Sequence, residues 1–96
     1  MQRFDDRVAV VTGGGRGIGG EIARAFAARG AKVAVVSRSE SSCGATAQSI
    51  NDEFPDAARA YAVDVAGHEA VQELGKRVLA DFGGVNILVN NAGVTR

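Results

Sequence analysis

The sequence predicts an α/β fold in which four parallel strands alternate with three helices, in the order β-α-β-α-β-α-β. Three observations predict it: four strand-length apolar runs recur along the chain, the segments between them have helical periodicity, and the connections are short. Successive strand, helix and strand units form right-handed crossovers between parallel strands. The 96 residues, of which 46% are hydrophobic and 23% charged, suffice for one small domain.

The four apolar runs define the strands of the predicted sheet. The first, second and fourth are almost continuous in apolar residues, which is the pattern of parallel strands covered by helices on both faces. The predicted strands span Arg7 to Val11, Lys32 to Val36, Ala58 to Val63 and Asn86 to Val89.

Apolar stripes at helical spacing predict the three helices between these strands. Each stripe is followed by a residue that ends helices, namely Gly30, Pro55 and Gly83. The stripes consist of Ile18, Ile22 and Phe26; of Cys43, Ala47, Ile50 and Phe54; and of Val71, Leu74, Val78 and Phe82.

Charge and cysteine content exclude several classes of function. The 11 basic and 11 acidic residues give a net charge of zero, so no long-range field attracts the chain to nucleic acid or to an anionic membrane. The apolar runs are too short to span a bilayer, and the first residues form no apolar signal region. Cys43 is the single cysteine and cannot form an internal disulfide, which favours a reducing compartment, and we expect a cytoplasmic protein.

Glycine is concentrated directly after the first predicted strand. Of the 13 glycines, six lie between Thr12 and Gly20, where the first helix opens. A phosphate can approach the N–H groups and the positive dipole end of a helix N-terminus where no Cβ atoms stand in the way. The segment therefore predicts a phosphate-binding turn, the alternative being a plain flexible loop.

Two glycine spacings overlap in this segment. Gly15-x-Gly17-x-x-Gly20 matches one dinucleotide fingerprint, and Thr12-Gly13-x-x-x-Gly17-x-Gly19 matches a longer-spaced version. We favour the second, because the apolar strand runs up to Val11 and makes Gly13 the first residue of the turn. A distant segment supports it: the fourth strand ends in Asn90-Asn91-Ala92-Gly93.

With both motifs in place, and with Asp64-Val65 at the end of the third strand, the chain resembles the N-terminal half of the short-chain dehydrogenase/reductases. The resemblance implies a Rossmann-type sheet with strand order 3-2-1-4. It also implies that residues 1–96 are the NADP-binding portion, an incomplete part of a larger doubly wound domain.

Within this family, the ending Asn90-Asn91-Ala92-Gly93-Val94-Thr95-Arg96 most resembles the 3-oxoacyl-(acyl-carrier-protein) reductases of fatty-acid synthesis. This resemblance implies hydride transfer from NADPH to a 3-oxoacyl substrate, either a small molecule or linked to acyl-carrier protein, and a homo-oligomer, in this family usually a tetramer. Two alternatives stay open. One is another short-chain alcohol, sugar or steroid dehydrogenase, and the other is a free-standing, non-catalytic dinucleotide-binding or interaction module.

The end of the second strand points to NADP. A carboxylate there would hold the ribose 2′-OH of NAD, whereas an arginine accommodates the 2′-phosphate of NADP. The strand ends in Val36-Ser37-Arg38-Ser39, without a carboxylate. We predict that Arg38, with Arg16 from the glycine segment, binds the 2′-phosphate, the alternative being two solvated arginines.

The resemblance implies further cofactor contacts, residue by residue. The glycine turn surrounds the pyrophosphate, Ile18 packs near the nicotinamide, Asp64 and Val65 flank the adenine, and Asn91 to Gly93 line the ribose and nicotinamide side. The predicted cofactor-binding residues are Gly13, Gly15, Arg16, Gly17, Ile18, Gly19, Ser37, Arg38, Asp64, Val65, Asn91, Ala92 and Gly93.

The family's catalytic tyrosine, its lysine four residues later and its serine are not recognisable here. Tyr61 is the only tyrosine, lies inside the third strand and is followed four residues later by Val65. We predict that it packs in the core and that this chain has no catalytic residue and is inactive alone. His68 lacks partners at metal-ligand spacing and Cys43 lies on an apolar stripe, so we predict no metal site and no nucleophile.

The fourth predicted strand has the sequence of a buried central strand. At the end of a four-stranded sheet it would instead be an exposed edge without charge, proline or bulge. We expect the rest of a reductase, with the catalytic residues and the substrate pocket, to cover it.

Overall fold

The fold is known from a computed structural model that describes residues 4–13, 15, 17–64 and 67–90. Seven elements alternate between strand and helix in these residues, which confirms the predicted order. They are β1 (Val8–Thr12), α1 (Gly17–Ala28), β2 (Lys32–Ser37), α2 (Glu40–Glu53), β3 (Ala58–Ala62), α3 (His68–Phe82) and β4 (Ile87–Asn90).

The four strands form one sheet in the order β3-β2-β1-β4, and every neighbouring pair is parallel. This confirms the predicted Rossmann-type order 3-2-1-4. Val11 pairs with Val35 of β2 on one side and with Val89 of β4 on the other, so β1 is an interior strand of the sheet. Because the connection from β1 runs to β2 on one side while β4 lies on the other, β1 and β4 flank the topological switch point.

Helices cover both faces of the central strands. On one face, β1 and β2 pack against α1 and α2 through a core that includes Val11, Val35 and Ile50. On the other face, Val10 and Val36 pack against α3 through Leu74 and Val78. Successive side chains of a strand point to opposite faces, so both strands need apolar residues throughout. Every residue of β1 is buried, as the continuous apolar run predicts.

All four strands end one residue away from the predicted positions, whereas β2 and β3 begin at the predicted residues, Lys32 and Ala58. At the carboxyl ends, β1 and β2 continue to Thr12 and Ser37, because Thr12 still pairs with Val36 and with Asn90 in the ladder. β4 likewise continues by one residue, to Asn90, whereas β3 is one residue shorter than predicted and ends at Ala62. The apolar run alone therefore misjudges a strand end that carries a polar residue.

At the amino ends, two asparagine side chains replace strand partners. The Asn86 Oδ1 accepts the N–H of Val8 at 2.9 Å, so β4 begins at Ile87 and not at the predicted Asn86. The Asn51 amide binds both backbone groups of Ala58, accepting its N–H at 2.8 Å and donating to its carbonyl at 2.9 Å. β1 also begins one residue later than predicted, at Val8 and not at Arg7.

The helix ends agree with the predicted stop signals. Gly30 and Gly83 adopt left-handed backbone conformations, with φ of 96° and 85°, two residues after the end of α1 and one residue after the end of α3. α2 ends at Glu53, just before Pro55. Its N-cap is Ser39, whose Oγ accepts the N–H of Ser42 at 3.3 Å.

Two residues of the predicted apolar stripes are not in the core. Ile18 is 66% exposed and Val71 is 42% exposed. Both lie in the first turn of their helices, and the core contacts begin one turn later, with Ile22 in α1 and Leu74 in α3.

Candidate functional site

The turn between β1 and α1 has a backbone that favours glycine at two positions. Gly13 and Gly17 have φ of 68° and 65°, in the left-handed region that side chains disfavour. Gly13 directly follows the last residue of β1, and Gly17 is the first residue of α1. Gly19 is buried within the first helical turn. The glycines of the longer spacing thus lie where the strand turns into the helix.

Gly15 lies against the junction of β2 and α2. A Cβ atom at Gly15 would lie 2.8 Å from the Cβ of Ser42 and 3.2 Å from the Cβ of Ser37, so the position has no room for a side chain. The Thr46 hydroxyl donates a hydrogen bond of 2.6 Å to the Gly15 carbonyl. We call Ser37, Ser42 and Thr46 the Gly15 seat.

The first turn of α1 carries no acidic residue. The other two helices each have one at this position, Glu40 in α2 and Glu69 in α3. A carboxylate in the first turn interacts favourably with the positive end of the helix dipole. Its absence from α1 leaves that end of the dipole available for an external anion.

A threonine joins the carboxyl ends of β1 and β4. The Thr12 side chain is nearly buried, at 6% exposure, and its hydroxyl lies 3.3 Å from the Val89 carbonyl oxygen and 3.1 Å from Asn90 Oδ1. These contacts fix the two strand ends that flank the switch point. Parallel α/β sheets bind ligands in the crevice outside these strand ends.

The end of β2 presents an exposed arginine with a serine on either side of it in the sequence. Ser37 is the last residue of the strand, and its hydroxyl donates to the Ser39 carbonyl at 2.8 Å. Arg38 follows and is exposed. Glu40 begins α2 and lies in its first turn. Arg38 is therefore available to an anion at the same edge of the sheet as the glycine turn.

The predicted cofactor-binding residues that the structure describes all follow the carboxyl ends of strands. Gly13, Gly15, Gly17, Ile18 and Gly19 follow β1, Ser37 and Arg38 mark the end of β2, and exposed Asp64 follows β3. Direct contact is seen between Gly15 and the β2–α2 junction. Arg16, Val65, Asn91, Ala92 and Gly93 lie outside the described residues.

Tyr61 is a core residue, as predicted. Its side chain is 2% exposed, its hydroxyl donates to Asp81 Oδ2 at 2.6 Å, and the Arg77 guanidinium carbon lies 5.1 Å from its ring centre. Burial, reinforced by the hydrogen bond and the negative charge of Asp81, raises the pKa of the Tyr61 hydroxyl far above its ordinary value. Such a group is a poor proton donor at neutral pH, and its hydroxyl is already bonded to Asp81.

The other two groups considered for chemistry, Cys43 and His68, lie in different surroundings. Cys43 is fully buried against α1 and the sheet, whereas His68 is exposed at the start of α3. Within the described ranges, no cluster of histidine, cysteine or carboxylate side chains has the arrangement of a metal site. No helix among the same residues has the length and apolarity needed to cross a membrane.

Sequence reasoning missed Ser42 and Thr46 as residues of this site. Their spacing of four places them on one side of α2, next to the apolar stripe residues Cys43 and Ala47. Small hydroxyl side chains beside an apolar stripe indicate a second close packing partner, which here is the Gly15 turn.

Comparisons with known proteins agree with this geometry. The family model of the short chain dehydrogenases matches residues 7–96. The 3-oxoacyl-(acyl-carrier-protein) reductase of Vibrio cholerae is 46% identical to this chain over 93 residues, and the match covers 97% of the chain and 36% of the reductase. The D-threitol dehydrogenase of Mycolicibacterium smegmatis is 43% identical over 94 residues, covering 98% of the chain and 36% of that protein.

Solved structures match the fold equally well. The L-sorbose reductase of Gluconobacter frateurii, crystallised with NADPH and L-sorbose, superimposes with a TM-score of 0.90 and 40% identity, covering 96% of this chain and 35% of the reductase. The chain thus spans little more than a third of each of these relatives, 35% to 36% of their length. From its motifs, its sheet order and these matches, the chain belongs to the short chain dehydrogenase family.

Proposed function

We propose that residues 1–96 form the NADP-binding portion of an NADP-dependent short-chain oxidoreductase. The observation that carries this proposal is the turn from β1 into α1, with left-handed backbone at Gly13 and Gly17 and no room for a Cβ at Gly15. The turn opens a helix whose first turn lacks a carboxylate, at the switch point of the sheet. This combination suits a pyrophosphate bound by backbone N–H groups.

The glycine turn fits the pyrophosphate of the dinucleotide in both shape and charge. A bare glycine backbone allows phosphate oxygens to approach the main chain closely, and the α1 dipole stabilises their negative charge. We assign the pyrophosphate to Gly13, Gly15, Gly17 and Gly19. Ile18, which is 66% exposed despite its apolar side chain, is assigned to the nicotinamide end.

Preference for NADP rests on the end of β2. Exposed Arg38 offers a planar, permanently charged group to a 2′-phosphate. Its neighbours at positions 37 and 39 are serines, so neither provides a carboxylate to bind a ribose 2′-OH. We assign Arg16 to the same phosphate, Asp64 and Val65 to the adenine, and Asn91, Ala92 and Gly93 to the ribose and nicotinamide side. The relative from Gluconobacter frateurii that was crystallised with NADPH supports this preference.

The proposed reaction is hydride transfer to a substrate carbonyl, and the bound NADPH supplies the hydride. The part of this chain is to bind and orient the dinucleotide. We do not assign to Tyr61 the proton that the reduced carbonyl needs, because its side chain is buried and bound to Asp81. We therefore expect the proton donor outside residues 1–96, and no activity from these residues alone.

For the substrate, we propose a 3-oxoacyl group carried by acyl-carrier protein, as in fatty-acid synthesis. The support is the 46% identity to the Vibrio cholerae reductase. A second candidate is a polyol or sugar, supported by 43% identity to the D-threitol dehydrogenase and 40% identity to the L-sorbose reductase. From the family resemblance we further propose a cytoplasmic homotetramer.

The test is cofactor binding followed by turnover, with the protein at the full length that its gene encodes. We expect NADPH to bind and to be oxidised in the presence of an acetoacetyl thioester. Oxidation with L-sorbose but not with the thioester would move the assignment to the sugar dehydrogenases. Binding without turnover of any carbonyl substrate would favour a non-catalytic dinucleotide-binding module, and absence of binding would contradict the proposal.

A further inference from the structure

The glycine turn contacts α2 as well as the two elements that it joins. α2 follows β2 in the chain and begins two residues after Arg38. Its first two turns place Ser42 and Thr46 on the side that faces Gly15. The same strand–helix junction therefore carries Arg38 and the Gly15 seat.

The hydrogen bond from Thr46 fixes a part of the chain that would otherwise be loosely held. Glycine loses more conformational freedom on ordering than any other residue, so a glycine-rich turn is costly to order when its ligand arrives. The Thr46 hydroxyl donates to the Gly15 carbonyl at 2.6 Å across 31 positions of sequence, and this contact is partly buried. A tether of this kind moves the ordering cost from cofactor binding to folding.

Packing and hydrogen bonding act on Gly15 from different directions. Ser42 and Ser37 limit how closely the turn can approach the junction, because a Cβ at Gly15 would lie 2.8 Å and 3.2 Å from theirs. The Thr46 hydroxyl limits how far Gly15 can move away, because its bond to the Gly15 carbonyl would break. Together they hold one position of the turn relative to the end of β2.

We propose that Thr46 is a positioning residue of the dinucleotide site, holding the glycine turn in its binding conformation through the Gly15 carbonyl. The inference rests on the proposed function, because it assigns Thr46 to the site that would bind the pyrophosphate. NADPH and NADH share the pyrophosphate. Loss of the Thr46 hydroxyl therefore weakens both dinucleotides by the same factor, unlike loss of Arg38.

The experiment compares the dissociation constants of NADPH and NADH for the full-length protein and for T46V, T46S and S49A. T46V replaces the hydroxyl with a methyl group, and we expect both constants to rise about three- to tenfold, the range of one net hydrogen bond. T46S retains the hydroxyl and should bind both dinucleotides within about twofold of the wild-type protein. S49A removes another α2 hydroxyl, which contacts Arg24 and not the turn, and should leave both constants unchanged.

The outcomes separate the inference from the proposed function. Wild-type protein that binds NADPH, together with T46V that binds equally well, would overturn the role of Thr46 alone. T46S as weak as T46V, or a T46V loss confined to NADPH, would also overturn it. Wild-type protein that binds neither dinucleotide would overturn the proposed function and this inference with it. Circular dichroism of each variant checks folding, and T46A replaces T46V if the valine variant unfolds.

Discussion

Arg38 is the residue whose charge should decide between the two nicotinamide cofactors. It is exposed and directly follows β2. The nearest carboxylate in the sequence belongs to Glu40, the first residue of α2. Arg38→Ala should raise the NADPH dissociation constant about tenfold or more, the value of a charge-assisted hydrogen bond, and barely change that of NADH.

The matched control for Arg38 is Arg29→Ala. Arg29 is also exposed but follows α1 at the opposite end of the sheet. A fluorescence titration of both variants with both dinucleotides measures the effect. An equal loss of NADPH and NADH affinity in Arg38→Ala would contradict the assignment to the 2′-phosphate.

Tyr61 makes stability depend on pH in the alkaline range. Its hydroxyl is buried and bound to Asp81, and its pKa in the folded protein lies far above the value of about 10 that it has in an unfolded chain. Between these two values the unfolded state loses the proton and the folded state keeps it. The contribution of Tyr61 to the free energy of unfolding is therefore complete below about pH 10 and declines as the pH rises further.

Tyr61→Phe tests this dependence, since the chain has no other tyrosine. At neutral pH the variant should lose about 1 kcal/mol of unfolding free energy, the value of one hydrogen bond. The difference from wild type should shrink above about pH 10, as measured by urea unfolding at a series of pH values. Phenolate absorbance that rises with a midpoint near pH 10 in the folded protein would contradict the burial of this hydroxyl.

Among the elements, α2 contacts the glycine turn through Thr46 and also contains a glycine, a residue that disfavours helices. Gly44 lies inside it, and a Cβ there would meet no atom within 4 Å. Gly44→Ala should raise the free energy of unfolding by about 0.5 to 1 kcal/mol, because alanine loses less backbone entropy than glycine in a helix. Thermal or urea unfolding measures the change.

Gly83 provides the opposite case for the same substitution. Its φ of 85° ends α3 in a left-handed conformation. Gly83→Ala should lower the unfolding free energy by about 1 kcal/mol, since an L side chain disfavours this region. If both substitutions lowered stability, the assignment of Gly44 to an unhindered helix interior would be wrong; if both raised it, the left-handed conformation of Gly83 would be.

At this scale the apolar patterns predict the elements well but their contacts poorly. The runs that include Val11 and Val35 predict buried parallel strands, because burial on both faces leaves no polar position. The patterns cannot predict that Asn86 takes the place of a strand residue, since its amide pairs with a backbone group 78 positions away. The patterns also cannot predict the Gly15 seat, because Ser42 and Thr46 of α2 are distant from Gly15 in sequence.

The two ends of the sheet have different chemistry in the molecule as a whole. At the amino ends of the strands, Asn51 and Asn86 bind backbone groups of β3 and β1, so these groups are satisfied within the chain. At the carboxyl ends lie the glycine turn, Arg38 and Asp64. The sequence predicts that the carboxyl ends of the strands bind the ligand, because the motif residues follow the strands. It does not predict that asparagine side chains bind the backbone groups at the amino ends.

The outer edge of β4 governs how these 96 residues behave alone. Within the described sheet β4 pairs only with β1, and Leu88 on it is 67% exposed. An apolar edge strand of this kind pairs readily with another chain. We expect residues 1–96, produced alone, to self-associate, and Leu88→Lys to shift them towards monomer in light-scattering measurements.

The control is Leu79→Lys, because Leu79 is also exposed, at 55%, but lies on α3 and not on a strand. It should leave the self-association unchanged. Equal effects of the two substitutions would point to general apolar contact, and no effect of Leu88→Lys would contradict pairing through β4.

The contact between Gly15 and Ser42 also constrains how this family can vary in sequence. A Cβ at position 15 would lie 2.8 Å from the Ser42 Cβ, so the two positions share one small volume. Relatives with a side chain at position 15 should therefore carry glycine at position 42. Such a pair would covary across the family although 27 positions separate it along the chain, and a side chain at position 15 would be accepted only where position 42 lacks one.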